Sequence, residues 1–179
     1  NLKLDVELIS FFYDAGSSSS TVFDLLYVNS AGIEMVQLLL SKGIISLETQ
    51  DSDGNTLLHH ICCSLGNDVI RYVLKQGANQ RLLNHNNETC LEYLLTECDK
   101  DDHFLWDFIA DVLDVLMEHG LTVLEIITLL RIHRYNCYNT HRNISLVLFK
   151  HGATFEQFGS FFDKIYEGHE EQEQKNRKT

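Results

Sequence analysis

Asp51-Ser52-Asp53-Gly54-Asn55-Thr56-Leu57-Leu58-His59-His60 is the stretch that decides the fold. Its first half is turn chemistry, since Asp, Ser, Gly and Asn supply the bends and side-chain-to-backbone bonds of tight connections. Its second half opens a helix. The Thr56 hydroxyl can accept from an orphan first-turn amide, and His59, three residues on, can return a bond to the threonine before the apolar Leu57 and Leu58 turn inward. The same start recurs at Thr21, Thr89, Thr122 and Thr154, so successive steps are 35, 33, 33 and 32 residues. The residues three places on are Asp24, His59, Glu92, Glu125 and Gln157. Five helix starts at a near-constant period mark a repeat protein.

The ends recur as well. Val36 to Gly43, Ile70 to Gly77, Val112 to Gly120 and Ile144 to Gly152 are apolar helices with a basic residue or histidine in the last turn and a glycine after it. Cations suit the negative helix end, and glycine takes a left-handed cap at little cost. Each unit is therefore helix, turn, helix, glycine stop. The spacing predicts helices over 2–14, from Thr21 to near Asn29, and from Ala31 to Lys42. The connectors differ. Gly43 to Thr56 is 13 residues and Gly77 to Thr89 is 12, whereas Gly120 to Thr122 and Gly152 to Thr154 are two each. Inserts of about ten residues fall inside later units, at Glu97 to Trp106 and Arg131 to Asn139. The expected repeat domain spans 1–167, with units near 17–50, 51–83, 84–120 and 121–152 and partial units at 1–16 and 153–167. Residues 168–179 form a polar tail.

The chain has no proline, 44% hydrophobic and 22% charged residues, which fits a globular all-α protein. Its net charge of −12 argues against nucleic acid and anionic membrane as partners. The charge is uneven: Asp99 to Glu125 holds eight acids and one base, while Ile126 to Phe155 holds no acid and four bases, Arg131, Arg134, Arg142 and Lys150. Five cysteines without a CxxC pair read as reduced thiols of an intracellular protein. No apolar run reaches the roughly 20 residues of a membrane span. The chain starts at Asn1, so a longer protein is expected, with any upstream targeting signal or catalytic domain outside this sequence.

Residues 51–60 resemble the ankyrin-repeat signature D-x-x-G-x-T-P-L-H-x-A, and Val73-Leu74-Lys75-Gln76-Gly77-Ala78 follows at the family's distance. Leu57 stands where proline is usual, Ile61 and Cys62 replace small residues, and Asn87 replaces the finger glycine of the next unit. The resemblance implies an all-α solenoid of about five helix pairs with two β-hairpin fingers, after Gly43 and Gly77. It also implies a monomeric, non-catalytic module that binds a protein without a cofactor. Degenerate arrays with long inserts look like effectors of intracellular bacteria or viruses, which implies a host-protein partner.

By that analogy the partner face comprises finger residues Asp51, Ser52, Asp53, Asn55, His85, Asn86 and Glu88, expected to be exposed, with Cys63, Ser64, Thr96 and Glu97 of the first helices. The bland reading is solvated loops. His59 is expected to bond between neighbouring repeats, with His60 facing the other way. The second candidate is the segment 131–142, whose Arg131, Arg134, Tyr135, Tyr138 and Arg142 form a basic aromatic patch suited to carboxylate or phosphate. Its internal alternative is neutralisation of Asp107, Asp111, Asp114 and Glu118. His133, Cys137 and His141 lie at i, i+4 and i+8, but a structural zinc site wants four ligands, so no metal is assigned. Glu97 to His103 matches no calcium loop. No phosphate loop, G-x-S-x-G or HExxH is present, and no protease signature surrounds Cys137, so no enzyme is assigned. The alternatives kept are a scaffold for a catalytic domain outside this sequence and, less favoured, a cysteine-dependent enzyme.

Overall fold

A computed structural model describes residues 11, 22–23, 32–64, 66–98, 105–132, 140–157 and 159. Seven helices are named among them: α1 (Ile33–Ser41), α2 (Leu57–Ser64), α3 (Asn67–Lys75), α4 (Cys90–Cys98), α5 (Leu105–Glu118), α6 (Val123–Ile132) and α7 (Thr140–Lys150). Phe11, Val22 and Phe23 are helical too. The rest of the helices expected over 2–14 and from Thr21, with the Thr21–Asp24 cap, lies outside the described residues. The chain divides into two compact units, 1–97 and 98–179, with the boundary at the start of the first insert.

The helix starts form as the sequence predicts. Thr89 donates its amide and hydroxyl to Glu92 Oε2 at 2.7 and 2.8 Å, and Glu92 returns its amide to Thr89 Oγ1 at 3.3 Å. Thr122 and Glu125 repeat this at 2.7, 2.7 and 3.3 Å. Thr154 and Gln157 do so at 2.9, 3.3 and 3.3 Å. At Thr56 the acid is replaced by imidazole, and the amide donates to His59 Nδ1 at 3.1 Å. The second helices α1 and α3 start instead after Gly32 and Gly66, without a side-chain cap.

Four helix ends share one geometry. Gly43, Gly77, Gly120 and Gly152 have φ of 69°, 97°, 101° and 88°. Each glycine amide bonds the carbonyl three residues back, and the next amide bonds five residues back, as in Gly43 to Leu40 (3.1 Å) and Ile44 to Leu39 (3.0 Å). This double bond satisfies carbonyls that the helix leaves unpaired.

Within the first unit α3 packs on α1 and α2. Its buried Val69, Ile70, Val73 and Leu74 lie on one face, opposite the exposed Asp68 and Lys75. Leu57, Leu58, Ile61, Leu91, Leu94 and Leu95 complete that core. In the second unit α5 packs on α7, around Ile109, Val112, Leu113, Val115, Leu116, Ile144 and Leu148. Each such side chain contributes about 1.5–3 kcal/mol on burial. Phe155 is 85% exposed and meets Phe149 at a centroid distance of 5.2 Å.

The long connectors are tight loops rather than strand-built hairpins. Among the described residues the only β pairing is an isolated antiparallel bridge between Gln50 and Thr56. The reason is local: the side chains of Asp51 and Asn84 capture the amides two and four residues on, which bends the chain before a ladder can extend.

Candidate functional site

The first finger is built on Asp51. Its Oδ1 accepts the amides of Asp53 (2.9 Å) and Asn55 (2.8 Å), and its Oδ2 meets His60 Nε2 at 2.8 Å. Burial pushes the Asp51 carboxyl up, but the bonds from Asn55, His60 and Asp53 outweigh it and hold the group below its ordinary value. Gly54 has φ of 80°, and a Cβ there would lie 2.8 Å from the His85 backbone nitrogen. Only glycine allows that approach.

The second finger repeats this design 33 residues later with an amide in place of the acid. Asn84 Oδ1 accepts the amides of Asn86 (3.0 Å) and Glu88 (2.9 Å). Asn87, at the position of Gly54, takes φ of 61°, a left-handed value that asparagine tolerates better than most residues.

Side-chain and backbone bonds latch the two fingers together. Asn84 Nδ2 donates to Asn55 Oδ1 at 2.9 Å, and the His85 amide donates to the Asp53 carbonyl at 2.9 Å. His59 makes the third link. Its Nδ1 accepts from the Thr56 amide, so the ring's proton sits on Nε2, which donates to the Glu88 carbonyl at 3.1 Å. Burial pushes the His59 pKa down, favouring this neutral form. His60 does face elsewhere, toward Asp51 and the Phe23 ring at 5.0 Å.

The expected exposure therefore divides. Ser52, Asp53, His85 and Asn86 are exposed tips. Asn55 is only 4% exposed and the Asp51 side chain 5% exposed, because both are committed to holding the fingers. Glu88 is half-buried and accepts from the exposed Thr96 hydroxyl at 3.0 Å. Cys63 is half-buried, Glu97 is exposed, and the Ser64 side chain lies outside the described residues.

Sequence reasoning missed Tyr93. It stands one period after His60, meets the His59 ring edge-on at 6.0 Å, and is half-buried. Burial, then the nearby Cys63, Glu97, Asp51 and Asp53, push its phenol up to about 12. The 33-residue register was the signal that could have found it.

Of the second candidate, Arg131 and Arg142 have helical backbones, but their side chains, and all of Arg134, Tyr135 and Tyr138, lie outside the described residues. So do His133 and Cys137 and the side chain of His141. Two of the acids that this segment was expected to neutralise, Asp114 and Glu118, are met by bases outside it. Lys150 Nζ donates to Asp114 at 2.6 Å and lies 3.7 Å from Glu118, and His151 Nε2 reaches Asp114 at 2.7 Å. Burial pushes Asp114 up, but Lys150 and His151 outweigh it and hold the carboxyl below its ordinary value.

Among the described residues no group of three His, Cys, Asp or Glu side chains is arranged to hold a metal, and no helix is long and apolar enough to cross a membrane. Cys62 and Cys90 are buried. The neighbouring Cys90, then burial, raise the Cys62 thiol well above its ordinary value.

A family model of ankyrin repeats, in three copies, covers residues 25–157. No curated protein and no solved structure matches the chain. The capping threonines, the left-handed glycine stops and the histidine latch agree with that match, which spans well over half the sequence: the chain belongs to the ankyrin-repeat family.

Proposed function

We propose that this ankyrin-repeat protein acts as a monomeric recognition module of about five units, without chemistry of its own. It engages a protein partner through the finger tips Ser52, Asp53, His85 and Asn86 and the first-helix residues Cys63, Tyr93, Thr96 and Glu97. Ankyrin repeats are generally protein–protein interaction modules, and here the observation that carries the reading is the finger latch. Three links, two of them buried or half-buried (from Asn84 and His59) and one between the exposed His85 and Asp53 backbones, fix the tips beside one another. Prior ordering spares the entropy that loops otherwise lose on binding. Residues 50–64 and 84–98 hold five acids and no lysine or arginine, so a partner surface carrying basic groups is favoured. The arginines of 131–142 are proposed as a second contact.

The test is affinity purification from a eukaryotic lysate, which also examines the host-protein reading. Asp53→Arg with His85→Glu and Asn86→Arg is expected to lose a partner that the parent chain retains, with the thermal midpoint unchanged. Arg131, Arg134 and Arg142 reversed to Glu form the second arm. Undiminished capture there removes the arginines, and undiminished capture in the first arm removes the finger face.

A further inference from the structure

Resting on the finger face as the recognition surface, we infer that it seats an arginine of the partner, with the guanidinium laid on the Tyr93 ring and held by the carboxylates of Asp53 and Glu97. Residues 50–64 and 84–98 offer five acids and no lysine or arginine, and three of those acids are spent inside the fold. Asp51 holds two loop amides and His60, Glu88 accepts from Asn84 and Thr96, and Glu92 closes the Thr89 cap. The other two, Asp53 and Glu97, are exposed. Asp53 stands at the first finger tip, where the His85 amide fixes its carbonyl at 2.9 Å. Glu97 lies four residues after Tyr93, one turn along the same side of α4.

Tyr93 is the platform. It is half-buried, and the His59 ring braces it edge-on at a centroid distance of 6.0 Å. Burial first, then Cys63, Glu97, Asp51 and Asp53, push the phenol up to about 12, so all four groups lie close enough to bear on it. The ring is therefore uncharged at neutral pH, and the same negative field favours a cation over it. A guanidinium suits this surface better than an ammonium. It is planar, so it stacks on an aromatic face, and its forked N–H groups can meet carboxylates beside the ring at the same time. An ammonium is a compact, strongly hydrated point charge and gains less from the ring. The finger latch holds the Asp53 backbone before the partner arrives, which spares part of the ordering cost.

Titration calorimetry of the intact chain tests the seat with an eight-residue peptide of alternating glycine and arginine, set against its lysine counterpart. The arginine peptide is expected to bind about fivefold more tightly or better. Tyr93→Leu changes no charge and is expected to weaken it about tenfold, whereas Tyr93→Phe keeps the ring and is expected to stay within about twofold of the parent. Asp53→Asn with Glu97→Gln is expected to cost about tenfold. Asp111→Asn with Glu118→Gln removes the same charge from exposed acids of the second unit and is expected to cost less than about twofold. The Tyr93 ring protons of the parent chain supply a readout that needs no variant, and they are expected to shift and saturate with the calorimetric affinity. Equal affinity for the two peptides overturns the proposal. So do undiminished binding by Tyr93→Leu, equal losses from the two acid pairs, or ring protons that do not move. A chain that ignores the arginine peptide, yet captures a lysate partner that the finger-tip variants lose, removes the arginine seat and leaves the finger face as the recognition surface.

Discussion

The fingered repeats of residues 51–98 and the fingerless ones of 105–157 use the same helix starts and stops but are joined differently. In the first region successive units are tied by polar links formed far along the chain: Asn84 to Asn55, the His85 amide to Asp53, and His59 to Glu88. In the second, two-residue connectors leave no loop to latch, and α5 and α7 join through apolar packing with a surface cluster of Asp114, Lys150 and His151. The scaffold is thus kept by local rules, while the means of joining neighbours is free to change. A polar latch demands particular residues; an apolar face demands only volume.

The sharpest way to break that contrast is a pair of glycine substitutions. Gly54→Ala meets both a positive φ and the His85 backbone, and is expected to cost about 2–5 kcal/mol in urea unfolding. Gly120→Ala has a positive φ but nothing within 4 Å of its new Cβ, and is expected to cost only about 1–2 kcal/mol. Equal costs would mean that the close approach of the fingers contributes nothing.

Asn84→Ala comes next. It removes the acceptor for the Asn86 and Glu88 amides and the donor to buried Asn55, and is expected to cost about 2–3 kcal/mol. The outcome against the latch would be a loss no larger than that of an exposed tip such as Asn86→Ala.

The smallest effect is expected at the ionic cluster. Asp114→Asn should cost below about 1 kcal/mol, because Lys150 is 56% exposed, and the difference should fade in high salt. Its pH dependence has a definite sign. Since the folded Asp114 carboxyl is held low, its contribution is present above the ordinary value of 3.8 and is lost as pH falls through the folded value. A larger, salt-insensitive loss would make this cluster as structural as the finger latch.

What the sequence disclosed follows the range of the interactions. The Thr-to-Glu caps and glycine stops span three to five residues, so reading along the chain found them, even where His59 replaces the acid. Burial of Asn55 was not legible, because its partner Asn84 lies 29 residues away and a polar residue at a loop tip reads as solvated. The β-hairpins implied by family likeness failed for a reason present in the sequence but not weighed. Asp51 and Asn84 each offer one side-chain oxygen to two amides, and that competes with strand pairing. Tyr93 was hidden by its neighbours' plain helical pattern and emerges only when the two first helices are aligned in register.

The join at 120–122 carries a consequence for how such chains are altered. Gly120 closes one helix with its own pair of backbone bonds, and Thr122 opens the next with its own box to Glu125. Of the residue between them, Leu121, the helix stop uses only the backbone amide, which any residue but proline supplies. Segments of a dozen residues can therefore be spliced in at that point, with a closure cost that grows only slowly with length. The joint serves as an insertion port, and transplanting 44–55 there is a practical route to adding a recognition loop to the second unit.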